Sequence, residues 1–439
     1  MASDPNPTHP HTPDQLRDTA ALVVRTLSGA GHTAYFAGGC VRDALLGTPP
    51  ADYDIATDAT PDQVRALFER TSHVGAHFGV VLVHINRASI EVATFRADGP
   101  YTDSRRPDTV EFSTPEQDAK RRDFTINALF LDPLVDTRTT IRGRVVRGEI
   151  IDLVGGRDDL ERGVVRAVGT PSARLAEDHL RALRAVRFAA RLGCEIESDT
   201  ADAIRAHAAE LKGVSRERVG DECRRMLSHP ERAVAAWTLQ YLGLDAAILD
   251  RHTDAAPSLL GRLPADADYP TCLAAWAGDR GAVVERSQIV GLVAAWRAAL
   301  DLSNDERDAL KDTLETWSVL EREWGGLPMA AQKRVAARPR FMPALALVAS
   351  RSPEEMVRIR KGVDQLAATP TGIAPEPWVT GQTLRDLGFT PGPAFREVLD
   401  AVYDAQLDGS AEDAADAKAL AARLLTQTAR EDDRAEDQP

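Results

Sequence analysis

The periodicity of this chain changes once. Up to about residue 172, short runs rich in β-branched and apolar residues, "AYFA", "DYDIAT", "GVVLVHI", "SIEVATF" and "IIDLVGG", alternate with glycine and proline turns. From about Ala173 the texture is almost continuously helical. Those two halves allow an α+β organisation, with a mixed sheet and its helices first and all-α segments behind it. Apolar residues from Leu16 to Leu27 recur at helical spacing and stop at "SGAGHT", so the opening reads helix, strand, glycine turn, helix. The β-branched runs that follow read as neighbouring strands of one sheet. "RADGPYTDSRRPDTVEFSTPE", Arg96 to Glu116, reads as an irregular loop, and softer joints fall at Pro257 to Pro270 and Thr369 to Pro377.

Several classes are excluded early. A formal charge of -14 argues against a uniformly basic, phosphate-binding surface and leaves room only for local basic patches. Cys40, Cys194, Cys223 and Cys272 stand far apart without a C-x-x-C, which suggests neither a zinc cluster nor a disulfide framework and fits a reducing cytoplasm. No apolar run approaches a membrane span. Residues 1–14 read as a disordered, proline-rich lead-in and 429–439 as a disordered acidic tail.

The most suggestive chemistry lies in "GGCVRDALLGTPPADYDIAT". On a strand, Asp52 and Asp54 flank Tyr53 and present both carboxylates to one side, as hard cations require. Two Mg²⁺ ions roughly 3.5–4 Å apart can activate a hydroxyl and steady a departing pyrophosphate. Gly38 and Gly39 let backbone N–H groups approach a triphosphate at a helix N-terminus, with Arg42 adding a charged fork. The competing reading makes the acids solvated or capping residues. Glu91, mid-strand in an apolar run, is either a third carboxylate or an edge-strand glutamate facing water.

In "AEDHLRALRAVRFAARLG", Asp178, Arg181, Arg184 and Arg187 stand three apart and lie near one another on one side of a helix. Spacing alone favours the plainer account, a core-packing helix with exposed ion pairs. His179 and His229 stand alone, and isolated histidines are usually packing or capping residues.

These motifs, with "DGPYTDSRRPDTVEF", "RRDFTINALF", "VSRERVGDE" and the tail "GQTLRDLGFTPGPAFREVLDAVYDAQLDG", occur in an order that resembles the class II CCA-adding tRNA nucleotidyltransferase and poly(A) polymerase family. The resemblance implies a palm-like nucleotidyltransferase head over 15–172, a neck carrying a nucleotide template over 173–230, a helical body over 231–370 and a tRNA-binding tail over 371–428. It implies Asp52 and Asp54 as ligands of a two-metal Mg²⁺ site with Glu91 as the third catalytic acid, and CTP and ATP as substrates. Asp178 and Arg181 would read the base, and Arg184 and Arg187 would meet nucleotide or primer phosphates. Gly39, Arg42 and Arg122 would hold the nucleotide. Asp123 and Asn127 would recognise the ribose, although Asp123 also fits a helix N-cap. "VSRERVGDE" would brace the template helix, and the loop Asp98 to Val110 would couple template movement to the switch from CTP to ATP or be a plain surface loop.

The partner implied is tRNA, at its 3′ acceptor end and elbow, and the activity is untemplated addition of C, C and A. The same motifs also serve A-adding enzymes and poly(A) polymerases, and a non-catalytic RNA-binding protein on this fold is a further alternative. A dinucleotide-binding turn is disfavoured because "AGGCVRD" lacks G-x-G-x-x-G.

Overall fold

The computed structural model describes residues 12–73, 79–98, 110–281, 286–392 and 394–436. They form two compact units that divide between Asp254 and Ala255.

The first unit opens with helix α1 (Pro13–Gly29), started by a Thr12/Gln15 capping box with Pro13 in the first turn. It buries Leu16, Ala20, Val23, Val24 and Leu27 along one stripe. Strand β1 (Ala34–Ala37) runs through Gly38 into α2 (Gly39–Leu46), and β2 (Asp54–Thr57) and α3 (Pro61–Leu67) follow. Strands β3 (Thr71–His73), β4 (Val80–Ile85), β5 (Ala88–Thr94), β6 (Arg96–Asp98) and β7 (Val110–Phe112) lead to α4 (Pro115–Arg121) and a 3₁₀ turn, Thr125–Asn127. Next come β8 (Phe130–Asp132), β9 (Arg138–Ile141), β10 (Arg144–Arg147), β11 (Glu149–Ile151), α5 (Gly156–Arg162) and β12 (Val164–Val165). The unit is completed by α6 (Pro171–Glu177), α7 (Arg181–Leu192), β13 (Glu195–Ile196), α8 (Ser198–Ala206), α9 (Arg216–Leu227), α10 (Arg232–Tyr241) and α11 (Leu244–Leu249).

Seven strands form one sheet in the order β11-β8-β1-β2-β5-β4-β3. Only β2 and β5 run parallel, and their register sets Asp54 beside Glu91. The three β-branched runs do form neighbouring strands. Tyr35, Phe95 and Phe130 pack on one another at ring distances of 5.8 to 6.3 Å within a core under this sheet.

Two sequence expectations need adjustment. The stretch around Arg96 to Glu116 is not irregular at its ends: β6 pairs antiparallel with β7, and α4 starts at Pro115. The interior of the expected loop between Asp98 and Val110 lies outside the described residues, as do residues 1–11. The sheet half and the helices beyond residue 172 belong to the same unit, joined by the parallel pairing of β12 with β13. The acidic end is helical as far as Glu436, the high helix propensity of its Ala, Arg and Glu residues outweighing its charge.

The second unit is helical. Trp276 is fully buried and meets Trp296 edge-on at 5.4 Å. Lys333, also without solvent exposure, donates to the hydroxyls of Thr369 and Thr371 and to the Leu407 carbonyl at 2.6 to 2.8 Å. That buried ammonium spans the point near residue 370 where a tail was expected to begin. Beyond it Val379, Leu384, Val398, Val402, Ala417 and Ala421 make a core of their own. No described helix is long and apolar enough to cross a membrane, and all four cysteines are free thiols.

Gly156 seats α5 against the 3₁₀ turn, and a Cβ there would stand 2.1 Å from the Thr125 carbonyl oxygen. Gly156→Ala should therefore lower stability by about 1–3 kcal/mol. Gly213→Ala, where a Cβ meets nothing within 4 Å, should not. Thermal midpoints of the two variants check this, and equal midpoints would contradict it.

Candidate active site

The sheet, the 3₁₀ turn and α7 enclose a cavity of about 600 Å³. Its wall contains every site residue expected from the sequence except Asp52: Gly39, Arg42, Asp54, Glu91, Arg122, Asp123, Asn127, Asp178, Arg181, Arg184 and Arg187.

The acids stand on the sheet. Asp54 opens β2, half-buried, next to Glu91 on β5. Since β5 lies between β2 and β4, Glu91 is not an edge residue. Asp52 is exposed and precedes the strand, which starts only at Asp54. Tyr53 between them is buried against the Phe36 ring at 4.9 Å, so the two acids still flank an anchored residue. Burial first, then the charges of Asp52 and Glu91, push the Asp54 carboxyl up to about 7, with Arg122 opposing. The Glu91 residue is nonetheless exposed to solvent, and partial desolvation of its carboxyl together with the charge of Asp52 raises it. No cluster of three or more metal-ligating side chains is closed up among the described residues. The donor set nevertheless suits a hard divalent cation, whose charge removes the cost of crowding these carboxyls.

Gly38, with φ of +72°, turns β1 into α2. A Cβ there would meet Arg122 Nη1 at 2.7 Å, so the turn needs glycine. The Gly38 N–H is spent on the Leu129 carbonyl, which leaves the α2 N-terminus from Gly39 onward to face an anion. Arg42 is bound to Asp43 at 2.7 Å and to the Asn127 side-chain oxygen. Arg122 is forked onto Asp118 at 3.0 and 3.1 Å and donates to the Asn127 carbonyl.

Asp123 does not cap the 3₁₀ turn. It accepts from the Phe124 N–H, from Asn127 Nδ2 and from Arg184, the last at 2.6 and 2.8 Å. Arg187 donates to Glu222 on α9 at 2.6 Å. The guanidiniums of Arg42, Arg184 and Arg187 all lie within 5.3 Å of the Phe188 ring centroid. Asp178 is not on the template helix. It ends α6 in an extended conformation, and its carboxylate accepts from the Leu180 N–H, a local turn that breaks the helix before α7. Only the three arginines share α7. Arg218 braces Asp178 at 2.7 Å, and Glu177 braces Arg181 at 2.6 Å. His179 is a packing residue, as expected, its ring stacked on His207 at 6.0 Å.

The model of the poly A polymerase head domain matches residues 34–166, and that of a probable RNA- and SrmB-binding site of polymerase A matches 193–254. A CCA-adding enzyme of Geobacillus thermodenitrificans is 35% identical over 404 residues, 89% of this chain and 92% of that one. The chain belongs to the CCA-adding enzyme family. Another member, from Streptococcus gordonii, is 32% identical over 406 residues, 89% of this chain and 93% of its own length. The crystal structure of the Bacillus stearothermophilus CCA-adding enzyme in complex with CTP matches with a TM-score of 0.73 at 30% identity, covering 97% of this chain and all of that one. The Thermotoga maritima CCA-adding enzyme complexed with tRNA shares the fold at 19% identity, with a TM-score of 0.61 over 93% of this chain and 94% of that one.

The sequence reading did not name Asp118 or Glu177, which hold Arg122 and Arg181. Asp118 and Glu177 stood three or four residues from their partners and were legible as helical pairs. Glu222 closes the "VSRERVGDE" stretch that was expected to brace the template helix, and it does so through Arg187 on α7, while Arg218 of the same stretch holds Asp178.

The raised Asp54 carboxyl gives a pH prediction for metal-free protein. Its folded pKa of about 7 exceeds the ordinary 3.8, so the folded state keeps a proton that the unfolded chain has lost. Stability falls as pH rises across that window. In chelator, Asp54→Asn should raise the thermal midpoint at pH 8 and raise it much less at pH 5. A lowered midpoint at pH 8 would refute it.

Proposed function

We propose that this chain adds C, C and A to the 3′ end of tRNA, using CTP and ATP without a nucleic-acid template and releasing pyrophosphate. The observation that carries the reading is one cleft lined by the Asp54–Glu91 pair together with Asp178 and Arg181. Acids for phosphoryl transfer and donors and acceptors for a base edge line one space that suits one nucleotide.

Asp178 would accept from the exocyclic amino group that cytosine and adenine carry and uracil lacks. Arg181 would donate to ring acceptors. Its Nη1 is held by Glu177 and the Arg174 carbonyl, while Nε and Nη2 have no partner among the described residues. Bracing one end of a guanidinium while leaving the other free makes a template rather than a flexible charge. Asp123 and Asn127 would meet the ribose, and the α2 N-terminus at Gly39, with Arg42 and Arg122, would meet the triphosphate. Arg184 and Arg187, oriented by Asp123 and Glu222, would attract the remaining phosphate charge. Asp52 and Asp54, beside Glu91, would hold Mg²⁺, which when bound activates the attacking 3′-hydroxyl and offsets charge on the leaving group. In this reading residues 15–172 are the head, 173–230 the neck, 231–370 the body and 371–428 the tRNA-binding tail. Work on tRNA and four free thiols fit the cytoplasm.

The test is incubation of the protein with Mg²⁺ and tRNA transcripts ending before CCA, after C and after CC, each with CTP, ATP or both. Growth of every transcript to one CCA end is expected. Extension of the CC transcript alone by ATP, or long A tails on unrelated RNA, would assign A-adding or poly(A) activity instead. Asp54→Ala should cost at least about a hundredfold in CTP and ATP incorporation alike with tRNA binding retained. Arg181→Ala should change the choice of nucleotide, shifting selectivity by roughly fivefold to a hundredfold. Equal slowing with all four nucleotides would make it only a structural residue.

A further inference from the structure

Arg187 and Arg191 line the nucleotide cleft and also a second cavity of about 300 Å³, whose other walls are Ala190, Arg225, Met226 and His229. It lies between α7 and the end of α9. Three arginines and a histidine line it, and no acidic residue does. Glu222 takes Nε of Arg187, and Asp43 takes Arg191 at 3.3 Å across a half-exposed pair. Arg225 is exposed and has no hydrogen-bond or ion-pair partner among the described residues, and its charge repels Arg187. The Glu231 N–H donates to His229 Nδ1 at 3.2 Å, so the ring hydrogen sits on Nε2. Burial and Arg191 hold the His229 pKa low, so it adds a neutral donor.

Such a cluster of donors contributes nothing to stability by itself, since like charges repel. In a chain of net charge -14 it stands out as a local basic site. An anion supplies the acceptor it lacks. The two cavities share Arg187 and Arg191, so an anion in the second lies next to the cleft. A strand whose 3′ end reaches the cleft brings a phosphodiester with each preceding nucleotide, whereas a free nucleotide brings its phosphates only to the cleft itself. We propose that the cavity between α7 and the end of α9, walled by Arg187, Arg191, Arg225 and His229, binds a backbone phosphate of the RNA strand behind its 3′-terminal nucleotide. This rests on the function proposed above.

The test uses the full chain with Arg225→Ala and Arg225→Lys, substitutions at an exposed position. Affinity for a CC-ended tRNA transcript is measured against salt concentration, alongside binding of CTP and of pyrophosphate. Arg225→Ala should weaken tRNA binding roughly threefold to tenfold and reduce the slope of log affinity against log salt by about 0.7–0.9. Arg225→Lys should restore most of both, and CTP binding should hold. Unchanged tRNA affinity and slope would overturn the proposal. So would loss of CTP or pyrophosphate binding with tRNA binding intact, which would give the cavity to the nucleotide's own phosphates. The readout is binding, so a wild-type protein that adds no nucleotide would overturn the proposed function without altering this result.

Discussion

The site depends on Asp123. Its side chain is 10% exposed and its carboxylate accepts from a backbone N–H, an amide and a guanidinium at once. Burial alone would favour the neutral acid, yet Arg184 and these hydrogen bonds hold the carboxyl below its ordinary range. The stabilisation is therefore present above the usual carboxylate pKa and is lost on acidification. A charge taken out of water is costly unless fully partnered, and here the partners come from the 3₁₀ turn and from α7. Satisfying one carboxylate thus ties the template helix to the 3₁₀ turn.

The acids on the sheet are arranged the opposite way. Asp54, Asp52 and Glu91 repel one another, and only Arg122 is near enough to counter them at Asp54. Paired charges build the frame, and unpaired ones face the space where charge must be received. Stability given up at the second set is the usual cost of a site poised for a cation and a polyanion. Rigid surroundings make it tolerable: Tyr53 is anchored on Phe36, and β5 is held on both sides by hydrogen-bonded neighbours.

A recurring device orients the basic side chains. Four arginines of the cleft are oriented by acids, Arg42 by Asp43, Arg122 by Asp118, Arg181 by Glu177 and Arg187 by Glu222. Loss of side-chain entropy on binding is then largely met in the folded state. Phe188 adds a common face on which three of the guanidiniums rest.

Local chemistry was legible in the sequence. The glycine turn into a helix, the β-branched runs as neighbouring strands, α7 as a helix and the change to helical texture all follow from short-range sterics and periodicity, which act within a few residues. The break at Asp178 was missed although its cause is local, because a carboxylate bonding its own backbone competes with helix spacing in a way that periodicity does not register. Tertiary structure alone decided the rest. Asp54 meets Glu91 because two strands 37 positions apart pair in parallel register. Arg187 meets Glu222 because α7 packs on α9. Lys333 is buried because Thr369, Thr371 and Leu407 return to it. Burial and electrostatic coupling depend on distance in space, and until the chain closes those distances do not exist.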